Sequence, residues 1–293
     1  MTETYRTPDE RFEGLPDFPW EPKYWDWEGI RLARIDEGNG DPVVLFHGEP
    51  TWSFLYRKVM PPPLDAGYRC IAPDYAGFGR SDKPTEFDWY TYDKHTESMT
   101  ALLDELGVSD ATFVVQDWGG PIGLRIAAER PELCSRLVAM DTGFFTGRQP
   151  MSEAWKTFRD FVERTEDLPV SMLVGGACKT MPSEEVLAGY DAPFPTVESK
   201  PGARAFPLIL PTTPDAPGAA AGQRTYEAHV ASERAALVLW ADSDPVLSLD
   251  VGRKLAEATG WPEPEVIAEA GHFLQEDQGK LIGERIASWL DEA

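Results

Sequence analysis

The chain has 293 residues, enough for one large core or for a core carrying an inserted segment. Hydrophobic residues make up 42% and charged residues 26%, an ordinary globular balance. The 50 acidic residues against 27 basic ones leave a net charge of −23, which disfavours nucleic acid and anionic membrane as partners. That acidity fits either plain solubility or adaptation to a salty medium that screens self-repulsion. Cys70, Cys134 and Cys178 are odd in number and widely spaced, with no CxxC or Cys/His cluster. Neither a zinc site nor a disulfide framework is expected, and reduced thiols suit a cytoplasmic protein. Met1 to Tyr5 lacks the basic and apolar regions of a signal peptide, and no apolar run of about 18 residues exists to span a membrane.

Residues 1–28 are rich in proline and aromatics, including Trp20, Trp25 and Trp27, and read as a segment wrapped on the body. Ile30 to Ile35 reads as a strand and Glu37-Gly38-Asn39-Gly40 as a tight turn. Val43 to Phe46 is a short apolar run typical of a strand buried on both faces; it ends at His47-Gly48-Glu49-Pro50. A helix is expected from about Trp52. Cys70 to Pro73 reads as a second buried strand, leading into the loop from Asp74 to Gly79. Met99, Leu102, Leu103 and Leu106 share one side of a helix over Thr91 to Leu106, which Gly107 ends. Strand Thr112 to Val115, turn Gln116-Asp117-Trp118-Gly119-Gly120, helix Ile122 to Glu129 and strand Leu137 to Met140 follow.

This alternation at βα spacing predicts an α/β fold, a mostly parallel twisted sheet with helices on both faces. From about 144 to 232 the rhythm stops, leaving helical patches and many prolines; Phe206 to Pro211 is apolar, but its prolines argue against a central strand. Strand Leu237 to Trp240, helix Leu249 to Thr259, strand Glu265 to Ala268 and helix Leu281 to Leu290 resume the rhythm. The expected division is therefore a core over residues 1–143, a helical cap over 144–232 and the rest of the core over 233–293.

The chemistry centres on Asp117. A strand runs into this polar residue, and Gly119 and Gly120 follow, the pattern of a nucleophile elbow that lifts one side chain above a sheet. The usual elbow is G-x-S-x-G; here Asp117 replaces the serine and Val115 the first glycine. A carboxylate suits displacement at saturated carbon, giving an alkyl-enzyme ester. By itself Asp117 could equally be a helix N-cap; its partners decide. Hydrolases of this fold carry nucleophile, acid and histidine in that chain order. His229 lies in the inserted region and reads as a surface residue. His272, in Ala270-Gly271-His272-Phe273 after the last strand, stands where ligands bind in such sheets and would activate water.

The acid that orients His272 should follow Leu237 to Trp240. Asp244 is preferred, Asp242 suits an Asx-type turn bond, and Asp141 at the end of an earlier strand is a third candidate. Hydrolysing an ester on Asp117 needs an oxyanion hole, for which the backbone N–H groups of Glu49 and Trp118 stand in the expected places. His47 and Gly48 shape that loop.

His47-Gly48-Glu49-Pro50, Gly77-Phe78-Gly79-Arg80-Ser81-Asp82-Lys83-Pro84, Gln116-Asp117-Trp118-Gly119-Gly120 and Gly271-His272-Phe273 together resemble the haloalkane dehalogenases, in particular the subfamily carrying HGEP. The cap stretches Tyr190 to Pro195 and Gly202 to Pro207 extend the similarity over nearly the whole chain. The resemblance implies an α/β-hydrolase fold with a helical cap, and hydrolytic dehalogenation of haloalkanes to primary alcohol and halide without metal or cofactor. It implies two indole N–H donors for the departing halide, one at Trp118 and one in the cap, where Trp155 is the sole tryptophan of residues 144–232.

Met151, Trp155, Phe158 and Val162 form a stripe at helical spacing, which is also how core packing looks; both hold if the stripe faces the cavity. Phe158, Phe206, Pro207, Val246 and Phe273 are the expected pocket lining. A sister subfamily places its acid at the position of Asp141, but HGEP favours Asp244. The partners implied are a small apolar halogenated substrate, water and halide ion, with no nucleic acid or membrane, for a monomer or small homo-oligomer.

Two alternatives remain. An epoxide hydrolase would need cap phenols, for which Tyr190 and Tyr226 are the candidates. A non-catalytic or luciferase-like binding protein would be expected to lose Asp117, His272 or the acid.

Overall fold

The apolar runs assemble into one eight-stranded sheet in a computed structural model that describes residues 2–149 and 151–292. The strands are β1 (Thr4–Tyr5), β2 (Lys23–Trp27), β3 (Ile30–Glu37), β4 (Pro42–Phe46), β5 (Arg69–Asp74), β6 (Lys83–Pro84), β7 (Ala111–Gln116), β8 (Cys134–Met140), β9 (Ala235–Ala241) and β10 (Glu265–Ile267). The helices are α1 (Pro61–Asp65), α2 (Tyr92–Glu105), α3 (Gly119–Glu129), α4 (Glu153–Arg164), α5 (Val170–Ala177), α6 (Glu184–Asp191), α7 (Pro201–Ile209), α8 (Ala219–Val230), α9 (Leu249–Thr259) and α10 (Leu274–Asp291).

The main sheet has the order β10-β9-β8-β7-β4-β5-β3-β2. The six strands from β10 to β5 are parallel; β3 is antiparallel to β5 and β2 to β3. All six residues of β7 are buried, as a strand covered by helices on both faces requires. The chain leaves β4 toward β5 and later enters β7 on the other side of β4. That reversal opens a crevice beyond the carboxyl ends of β4 and β7, where open α/β sheets bind ligands. Helices α4 to α8 fall between β8 and β9. Among the described residues no helix is long and apolar enough to cross a membrane.

Several expectations are corrected. The N-terminal segment contributes an edge strand, β2, and β1 pairs antiparallel with β6. The prolines before Lys23 hid the alternation of Lys23 to Trp27. The helix expected from Trp52 is a 3-10 turn over Ser53–Lys58, and α1 starts at the Pro61-Pro62-Pro63 run. The closing helix begins at Leu274 rather than Leu281; Gln278, with φ −129° and ψ 29°, interrupts its periodicity.

Candidate active site

The turn after β7 carries Asp117 in the left-handed region, with φ 48°. For a residue with a Cβ this is a costly conformation, held by its surroundings. The Asp117 N–H donates to the Asp141 carbonyl at 3.2 Å, and the Asp117 carbonyl accepts from Thr142 Oγ1 at 2.7 Å and from the Gly120 N–H at 3.0 Å. Close approach also demands glycine at Gly48, where a Cβ would lie 2.5 Å from Asp117 Oδ1. At Gly120 a Cβ would collide with Thr142 Oγ1. The carboxyl thus stands at the N-terminal end of α3, beside its partial positive charge.

The side chains of Asp117, His272 and Asp244 meet although they come from three separate loops. His272 Nε2 lies 3.5 Å from Asp117 Oδ2, and His272 Nδ1 is 2.7 Å from Asp244 Oδ2. Asp244 Oδ1 accepts the N–H groups of Val246 and Leu247 at 2.6 and 3.0 Å, which fixes its orientation. The Glu49 N–H donates to Asp117 Oδ1 at 2.7 Å. No matching bond from the Trp118 amide is present among the described residues. Burial opposes charge on His272, but Asp244 and Asp117 outweigh it and push its pKa well above that of an ordinary histidine.

The other candidate acids stand differently. Asp242 accepts the Glu269 and Ala270 N–H groups at 3.0 and 3.3 Å, pinning the segment that leads to His272. Asp141 is fully buried beside Asp244, and its Oδ1 accepts the Ala241 N–H at 3.1 Å. His229 is buried, not a surface residue: α8 packs on α3, and His229 Nε2 is 2.9 Å from the Leu124 carbonyl. His47 bonds the Gly48 carbonyl and accepts from the Tyr75 N–H, and burial lowers its pKa to about 4. It is a neutral brace for the Glu49 loop.

A cavity of about 290 Å³ opens above Asp117. Trp118, Trp155, Phe158, Pro207, Val246 and Phe273 line it with Glu49 and His272. Trp118 and Trp155 both line this cavity, and neither indole N–H makes a hydrogen bond among the described residues. Phe206 is the exception among the expected lining. It is fully buried behind Trp118, stacked on that ring at 4.6 Å and on Phe78 at 4.8 Å. It fixes the indole plane and does not reach the cavity. A larger cavity of about 710 Å³ lies at the other end of the strands, by Pro42, Arg69, Thr112 and Ser135, away from these groups.

Several contributors were not found in the sequence. Gln116 donates to the His272 carbonyl at 3.0 Å. Glu276 receives Arg57 twice at 2.7 and 2.8 Å, Lys58 at 2.6 Å and the Tyr190 hydroxyl at 2.7 Å, tying α6 to the helix after His272. Leu173, Gly176 and Ala177 of α5 add apolar wall. The Glu49 side chain is buried with Oε1 unpartnered; burial and the nearby Asp117 charge push its carboxyl well above the usual range. Only the HGEP loop itself had signalled Glu49, through its backbone.

This fold and this carboxylate–imidazole–carboxylate arrangement define an α/β hydrolase, and the family model described as "alpha/beta hydrolase fold" matches residues 41–167. A haloalkane dehalogenase of Mycolicibacterium paratuberculosis is 41% identical over 97% of this chain and 97% of its own. One from Psychrobacter cryohalolentis is 38% identical over 98% of each. The tetrameric structure of haloalkane dehalogenase DpaA from Paraglaciecola agarilytica NO2 superposes with a TM-score of 0.90 at 38% identity, covering 97% of both chains. The chain belongs to the haloalkane dehalogenases: it is a hydrolase that cleaves carbon–halogen bonds with water.

Proposed function

We propose that Asp117 is the nucleophile of this dehalogenation, that His272 and Asp244 drive hydrolysis of the resulting ester, and that Trp118 and Trp155 hold the halide. Asp117 Oδ1 is committed to the Glu49 amide, which leaves Oδ2 to attack. Oδ2 forms a bond to the halogen-bearing carbon as the carbon–halogen bond breaks, and the electron pair leaves with the halide. Apolar walls around a carboxylate favour this step, because little water competes for the nucleophile. The two indole N–H groups, unpaired among the described residues, stabilise a soft anion without adding charge to the site.

Esterification also resets the histidine. Two of the influences raising the His272 pKa come from Asp117, and the ester carries no charge. His272 then becomes neutral more readily, as a general base must be. It takes a proton from water, whose oxygen attacks Asp117 Cγ, and the charge developing on Oδ1 meets the Glu49 N–H. Collapse breaks the Cγ–O bond to the alkyl group, and the alcohol leaves with the proton from His272.

The single observation that carries this reading is the contact of Asp117 with both His272 and the Glu49 amide beneath an apolar cavity lined by two indoles whose N–H groups are unpaired among the described residues. Epoxide opening would call for a phenol facing Asp117. Tyr190 instead bonds Glu276, and Tyr226 lines a neighbouring cavity rather than this one. Incubating His272→Phe with 1-bromobutane tests the scheme: halide is released once per enzyme and a butyl adduct stays on the peptide holding Asp117. Multiple turnovers by that variant, or diol from styrene oxide without halide from 1-bromobutane in the unaltered enzyme, would overturn it.

A further inference from the structure

Asp141 ends β8 with a backbone φ of 31°, and the steps above leave its carboxyl unused. Its Oδ1 accepts the Ala241 N–H, while its buried Oδ2 has no partner among the described residues. Polar atoms of Asp141, Asp244 and His272 lie within 4.8 Å of one another. The other ionisable groups facing this cluster are Asp117, from the turn after β7, and Glu49, from the loop after β4. Neither lysine nor arginine bonds Asp141 or Asp244 among the described residues. Two buried carboxyls thus stand within 4.8 Å of each other beside one imidazole, and like charges so placed cannot both ionise cheaply.

We propose that Asp141 is a positioning residue that keeps its proton and donates it from Oδ2 to Asp244, so that the two carboxyls present a single negative charge to His272. This rests on the assignment of Asp244 as the partner of His272. Burial first, and then the Asp244 charge, push the Asp141 carboxyl well above the usual carboxylate range, in line with that state. The consequence is mechanical and electrostatic. A neutral donor steadies Asp244 in addition to its Val246 and Leu247 bonds, without a second charge that would trap His272 as the imidazolium during hydrolysis.

The test compares ester hydrolysis in single turnovers, followed against pH, in the unaltered enzyme, Asp141→Ala and Asp141→Asn. Alanine removes the donor and should slow hydrolysis by about tenfold, the equivalent of one hydrogen bond. Asparagine supplies an N–H donor and a carbonyl for the Ala241 amide, and should restore most of that loss with the acid limb of the pH profile unmoved. Infrared spectroscopy at neutral pH should show a protonated-carboxyl band that Asp141→Asn lacks.

Thermal stability gives an independent sign. An unfolded aspartate ionises near 3.8 while Asp141 stays neutral in the fold, so the folded state binds more proton. Its contribution is full below that value and is lost as pH rises through the raised folded pKa; Asp141→Asn should flatten that decline. An acid limb displaced to lower pH in Asp141→Asn, or no carboxyl band lost, would mean an ionised Asp141 and overturn the proposal. So would unchanged hydrolysis in Asp141→Ala, and if alanine prevents folding, the asparagine profile and the infrared band still decide. Asp244→Asn separates the underlying assignment: unimpaired hydrolysis there defeats the role of Asp244 whatever Asp141 does.

Discussion

In the α/β body, Asp117 and Asp244 follow strands buried along nearly their whole length, whereas the inserted helices α4 and α5 meet the same cavity half-exposed. Every residue of β7 is buried, and Asp117 is fixed by bonds to its own N–H, carbonyl and carboxyl. On α4 only Trp155 and Val162 are buried, and Met172 of α5 is 73% exposed at the cavity rim. A reacting atom displaced slightly costs much of the rate, which suits a rigid sheet edge. A wall that selects substrates can be looser. On the proposed reading, the body supplies the bond chemistry and the inserted helices supply fit, with Trp155 the one residue of those helices given both roles.

Substitutions in the two regions can break that division. Asp117→Asn keeps the shape of the side chain and an acceptor for the Glu49 amide, but removes the nucleophile. Steady-state halide release should fall by about 10⁴ or more; a residual rate near one-hundredth of the original would contradict the assignment. Asp244→Asn should leave the first equivalent of halide intact and slow ester hydrolysis by about 10² to 10⁴, as loss of the histidine's orienting partner does elsewhere.

Trp118→Phe removes one of the two proposed halide donors and should slow the first chemical step by about 10². Trp155→Phe should cost less, on the order of tenfold, with KM rising as the wall changes shape. Equal losses in kcat for the two would place the cap on the same footing as the body. The smallest effect on rate is expected at Tyr190→Phe. It removes a buried bond to Glu276, and should lower stability by roughly 1.5–3 kcal/mol while sparing kcat. A melting temperature equal to the original would show that this link does not secure the cap.

The body was readable because its strands are short apolar runs ended by polar motifs, and Asp117, His272 and Asp244 each sit directly after one. The cap was less so. Proline and exposed turns blur helical period there, yet Trp155 stood out as a lone tryptophan. Phe206 misled because an apolar residue in a cap looks the same whether it faces the cavity or backs Trp118. His229 misled because the packing of α8 on α3 is a tertiary fact that local pattern does not carry. The Glu276 clamp was invisible for the same reason: Arg57 and Glu276 are 219 positions apart.

In the proposed reaction the oxygen of the alcohol comes from Asp117, and water repairs the carboxyl. A single turnover in ¹⁸O-water, with enzyme in excess over 1-bromobutane, tests it most directly. Attack by Asp117 puts label in the peptide containing Asp117 and leaves butanol unlabelled; labelled butanol with an unlabelled peptide would mean direct displacement by water and rule out the ester.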